Sequence, residues 1–74
     1  APEWEYESLG KIISDFLRHE KEDARNVFIR KYYFFDSISD IAERYSFTES
    51  KVKNMLYHSR NKLRECLKKE GIEV

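Results

Sequence analysis

Ser37-Ile38-Ser39-Asp40-Ile41-Ala42-Glu43-Arg44-Tyr45, then Ser46-Phe47-Thr48, then Glu49-Ser50-Lys51-Val52-Lys53-Asn54-Met55-Leu56-Tyr57 is the stretch on which the fold turns. Ser37 and Asp40 have the spacing of a capping box, in which the hydroxyl takes an otherwise unpaired N–H of the first helical turn. They open a short helix over Ile38–Tyr45. Ser46-Phe47 then makes a tight connection, and Thr48 is suited to cap a longer helix from Glu49 to about Lys69. Ile41 and Tyr45 are spaced to face a core, and Ala42 is small where the two helices would cross most closely. Phe47 can plug the turn, while Val52, Met55 and Leu56 pack the second helix back onto the first. A short helix, a brief turn and a second helix fit the helix-turn-helix unit.

Helical spacing continues outward in both directions. Upstream, Leu9, Ile12, Ile13, Phe16 and Leu17 recur at three and four, which predicts a first helix from about Glu5 to His19 with Trp4 and Tyr6 near its start. Ala24, Val27, Phe28, Tyr32 and Phe35 repeat the pattern in a second helix from about Lys21 to Phe34. Its acidic entry (Glu20, Glu22, Asp23) complements the helix dipole, and Asp36-Ser37 breaks it. Downstream, Gly71 stops the last helix and Ile72 can fold back on Leu67 as in a Schellman motif. The expected fold is an all-α, compact four-helix domain that contains a helix-turn-helix and no wing. Residues 9–71 form the domain, with a flank at 1–8 and a tail at 72–74.

Composition supports a single folded unit. The chain has 74 residues, 41% hydrophobic and 38% charged, with two Gly and one Pro, which excludes a collagen-like or low-complexity chain. A domain of this size buries roughly 60% of its unfolded surface, so each aromatic, worth on the order of 150–250 Å², matters to the core. Cys66 is the only cysteine and cannot form a disulfide within the chain. That usage, with neither an 18-residue apolar run nor a secretory leader pattern, points to a reducing, cytoplasmic setting without a membrane span. Ala1-Pro2-Glu3 in place of an initiating Met reads as an appended remnant or the edge of a longer chain.

Side chains of the last helix can be placed at about 100° per residue. Val52, Met55, Leu56, Ser59, Leu63, Cys66 and Leu67 fall on one stripe. Ser50, Lys53, Asn54, Tyr57, Asn61, Arg64 and Lys68 fall away from it. An exposed helix with polar tips near its N-terminus and cations further along meets the needs of major-groove readout. The plainer alternative is an amphipathic helix with a solvated face.

The run from Ser37 to Leu56, followed by Ser59-Arg60-Asn61-Lys62-Leu63-Arg64, resembles region four of bacterial RNA polymerase sigma factors, closest to the extracytoplasmic-function type. Arg25-Asn26-Val27-Phe28-Ile29-Arg30-Lys31-Tyr32-Tyr33 is similar to the helix that precedes the helix-turn-helix in that family. The resemblance covers roughly Leu9 to Gly71. It implies binding to the −35 element of double-stranded promoter DNA and docking on the β flap of RNA polymerase, with an anti-sigma protein as a further partner. Carried over position by position, Glu49, Ser50, Lys53 and Asn54 would face base edges, and Thr48, Lys51, Arg60 and Lys62 would meet phosphates. Phe28, Tyr32 and Tyr33 are the docking candidates; all three are equally suited to the core, which is the favoured place for Phe28. Ser46 departs from the family, which often has Gly at this turn; a positive φ there would cost a modest strain. The family's polymerase-binding, promoter-melting domain does not fit within 74 residues.

No enzyme is expected. His19, His58 and Cys66 do not form a close zinc-ligand set. His58 and Cys66 are separated by about 12 Å along one helix, too far for a catalytic pair. No cofactor, metal or small-molecule substrate is implied. Two rival readings remain: a dimeric repressor or response-regulator effector domain, and a protein-interaction module with little DNA affinity of its own. Tyr32-Tyr33-Phe34-Phe35 bears on the second, because four successive aromatics point all round a helix. Either one or two are exposed as a partner surface, or the first helix covers them.

The formal net charge is zero, unlike the basic surplus of most nucleic-acid binders. The total averages two unlike halves. Residues 1–40 carry six Lys and Arg against nine Asp and Glu, a net −3, while residues 41–74 carry eight against five, a net +3. Within residues 51–69 seven cations face Glu65 alone, a net +6. The charge distribution predicts weak, salt-sensitive DNA binding in isolation, suited to a domain that works tethered to something larger.

Overall fold

Four helices in succession make up the computed structural model, which describes residues 3–72, with side chains from residue 7 onwards. They are α1 (Glu3–His19), α2 (Glu22–Tyr32), α3 (Ile38–Tyr45) and α4 (Glu49–Lys69). There is no strand among the described residues. The domain is all-α, and the Trp4 and Tyr6 side chains lie outside what is described.

Local signals account for both boundaries of α3 and α4. The Ser37 hydroxyl accepts from the Asp40 N–H at 3.0 Å, and the Thr48 hydroxyl accepts from the Lys51 N–H at 3.0 Å. Each satisfies a donor that the first turn of a helix leaves unpaired. Ser46 closes α3 in the left-handed conformation (φ 58°, ψ 39°), and the Phe47 N–H returns to the Ala42 carbonyl at 2.9 Å. Ser46 thus has the positive φ at which a residue with a Cβ carries a modest strain cost. At the far end of α4, Gly71 adopts φ 79° and the Ile72 N–H reaches the Leu67 carbonyl at 2.9 Å. That is the Schellman closure, and glycine adopts its positive φ without a Cβ penalty.

The second helix departs from expectation. It stops at Tyr32 rather than Phe34, and wider backbone bonds close it, from Phe34 N–H to Ile29 O (3.3 Å) and from Asp36 N–H to Arg30 O (3.0 Å). Phe35 turns left-handed (φ 58°). The chain thus leaves the helical path before Phe35, which sequence spacing had put on the apolar stripe. Its ring points to solvent instead.

Two apolar clusters share α4 as their common wall. Val27, Ile41, Ala42, Val52 and Leu56 form the first, with Tyr32, Ile38, Tyr45, Phe47 and Met55 packed against it. Phe16, Leu17 and Phe28 form the second, with Ile13, Ile29, Tyr32, Leu63 and Cys66 around them. Tyr32 touches both. Complete burial of Val27, Ile41, Val52 and Leu56 stabilises the fold by about 1.5–3 kcal/mol per side chain. Of the expected stripe on α1, only Phe16 and Leu17 are buried; Leu9, Ile12 and Ile13 are half-buried. These clusters set α4 in place along its length, with its opposite side facing outward.

Candidate nucleic-acid interface

The outward side of α4 is a consequence of the core on its inner side. Val52, Leu56, Ser59 and Leu67 are buried and Met55, Leu63 and Cys66 half-buried, as the 100° spacing requires. Ser50, Lys53, Asn54, Tyr57, Arg64 and Lys68 are exposed, and Asn61 is half-buried. The first two turns are braced from behind by α3, through Ile41 and Ala42 against Val52 and Leu56. A helix held this way has its backbone ordered in advance, so that only the side chains at its surface remain to be ordered by a ligand.

The residues expected at base edges are together. Glu49, Ser50, Lys53 and Asn54 occupy the first two turns of α4, all exposed. Lys53 and Asn54 have no side-chain hydrogen bond or ion pair among the described residues, so both are open to a ligand. Glu49 offsets the positive end of the helix dipole and presents an acceptor there.

The phosphate candidates are less alike. Thr48 and Lys51 sit at the start of α4: the Thr48 hydroxyl serves as the cap, and the Lys51 ammonium lies 4.1 Å from the Phe47 ring centroid. Such a cation–π contact pins the lysine stem beside the turn. Arg60 and Lys62 lie about 200° apart round the helix, on opposite flanks. Arg60 Nη1 donates to the Tyr32 hydroxyl at 2.9 Å, and Lys62 Nζ pairs with Glu20 Oε1 at 3.4 Å. The structure therefore ties one to the end of α2 and the other to the end of α1. Arg60 keeps spare N–H donors, since a guanidinium has five. Lys62 faces a carboxylate that already neutralises it.

Of the three docking candidates, Phe28 is 6% exposed, edge-on to Phe16 (6.1 Å between centroids) and against Tyr32 (4.7 Å). It is a core residue. Tyr32 is half-buried and Tyr33 exposed.

Tyr57 was not among the expected contact residues, yet it is 55% exposed on the outward face, one turn beyond Lys53 and Asn54. The same angular spacing that marks Asn54 marks Tyr57, whose aromatic ring carries neither the charge nor the amide that signals a base contact. No three of the described His, Cys, Asp and Glu side chains come together as a metal site, and Cys66 is a half-buried free thiol. No helix among the described residues is long and apolar enough to cross a membrane. No protein-family model, curated protein or solved structure matches this chain.

Proposed function

We propose that this chain is a helix-turn-helix DNA-binding domain of the sigma region-four kind, reading the −35 element of promoters for RNA polymerase without catalysis. The observation that carries this reading is the first two turns of α4. There Ser50, Lys53 and Asn54 project outward, without a side-chain hydrogen bond or ion pair among the described residues, from a helix braced by α3 and closed off from it by the Ser46 turn. In such a unit the second helix enters the major groove N-terminus first. Lys53 suits guanine O6 and N7, Asn54 suits adenine N6 and N7, and Glu49 suits a cytosine amino group. Lys51 and Arg60 supply phosphate contacts, and Tyr33 is the docking candidate left open to the polymerase.

Selection of the domain against a pool of randomised duplexes tests the reading. The expected result is an enriched asymmetric motif, bound weakly at physiological salt. Lys53→Ala should relax preference at one base pair, by about 1–3 kcal/mol, and Arg60→Ala should weaken all duplexes alike. No enrichment, or a palindromic motif bound by a dimer, would overturn it.

A further inference from the structure

Of the exposed aromatics between α2 and α3, Tyr33 is the polymerase-docking candidate named above, while Phe34 and Phe35 have no role in that reading. Tyr33, Phe34 and Phe35 are 57%, 59% and 84% exposed. Phe35 also holds φ 58°, a left-handed conformation that an L-residue with a bulky side chain adopts at a cost. Both features, an exposed ring and a strained backbone, work against folding, and Phe35 gains no core burial in return.

The tip is nonetheless built. The Arg30 guanidinium stacks 4.4 Å from the Phe34 ring centroid and reaches Asp36 at 3.6 Å, while the Asp36 N–H closes back on Arg30 O. Asp36, next to Phe35, opens a groove of about 520 Å³ lined by Asp36, Asp40, Glu43 and Arg44. Three carboxylates line it against one arginine. Arg30 balances Asp36, and neither Asp40 nor Glu43 has an ion-pair partner among the described residues. Lys31, half-buried on α2, is the remaining cation near the tip in sequence.

We infer that Tyr33, Phe34 and Phe35 together with the acidic groove of Asp40 and Glu43 form a docking surface for a polypeptide segment carrying an apolar side chain flanked by Lys or Arg. The aromatics would hold the apolar side chain and the carboxylates its basic neighbours. The same carboxylates repel phosphate, which sets this surface apart from the DNA face on α4. The inference stands whether or not α4 binds DNA.

Phage-displayed random 12-residue peptides selected on the 74-residue chain, then the labelled consensus peptide followed by fluorescence anisotropy, test it directly. The expected consensus has an aromatic or large aliphatic residue with two or more Lys or Arg nearby. Phe35→Gly and the double variant Asp40→Lys/Glu43→Lys should each weaken that peptide at least tenfold. Phe35→Gly should at the same time raise the melting temperature, an outcome that a residue serving the fold alone would not give. Duplex binding, measured in parallel, should be unchanged by Phe35→Gly. Failure to enrich any peptide over an unrelated helical domain would overturn the inference, as would a consensus that Phe35→Gly binds equally well. Self-association in sedimentation equilibrium that Phe35→Gly abolishes would also overturn it, by placing a second copy at the tip.

Discussion

The Tyr32 hydroxyl accepts a hydrogen bond from Arg60 Nη1 at 2.9 Å, so the end of α2 is fastened to the middle of α4. Tyr32 also packs against both apolar clusters. It thus couples the position of a proposed phosphate contact to the core. Tyr32→Phe should cost about 0.5–1.5 kcal/mol, the net worth of one such bond, and Arg60→Ala in that background should cost less than it does alone. Urea denaturation of the four members of the cycle measures the coupling; strict additivity would show that the bond contributes nothing.

Lys62 and Glu20 make the opposite arrangement. The Glu20 side chain is only 10% exposed and Lys62 covers it, so the lysine is engaged before any DNA arrives. Lys62→Met should therefore destabilise the domain by about 1 kcal/mol, near the upper end for a pair with one exposed partner. It should change the salt dependence of DNA binding less than Lys51→Met does, at a proposed phosphate contact. A plot of log affinity against log salt for both variants checks this; equal losses of slope would mean that Lys62 leaves Glu20 for the phosphate.

Ser46 holds a left-handed turn that glycine would hold without a Cβ penalty. Ser46→Gly should raise stability by about 0.5–1 kcal/mol, and Ser46→Val should lower it by about 1–2 kcal/mol. Thermal melts of the pair read the sign directly.

Ile41 and Val52 meet in the cluster that braces α3 against α4, both fully buried. Ile41→Ala should cost about 2–4 kcal/mol, a large share of the stability of so small a domain. Below the melting temperature of the variant, DNA affinity should fall far less than for Lys53→Ala, since the outward face is unaltered. A folded Ile41→Ala that loses all DNA binding would count against a rigid, preformed interface.

How legible the fold was depended on where its determinants lie. The bounds of α3 and α4 are written locally, in Ser37, Ser46, Thr48 and Gly71, and both helices fall where those residues put them. The end of α2 is not written locally. Phenylalanine has no preference for a left-handed conformation, so nothing near Phe35 marks the turn, and apolar spacing alone carries the helix through it. The outward face of α4 followed from angle because one core fixes one face. The ties of Arg60 to Tyr32 and Lys62 to Glu20 span 28 and 42 residues, and no spacing rule on a single helix reaches that far.

The proposal that the outward face of α4 reads DNA meets its most direct test in an NMR titration. Backbone amides of the ¹⁵N-labelled chain are followed as the duplex enriched from the random pool is added at low salt. Saturable shifts concentrated over residues 48–57, including Lys53, Asn54 and Tyr57, are expected, with little change at Phe34 and Phe35. Saturating duplex that leaves the α4 amides unmoved, or that shifts only the aromatic tip, would contradict it.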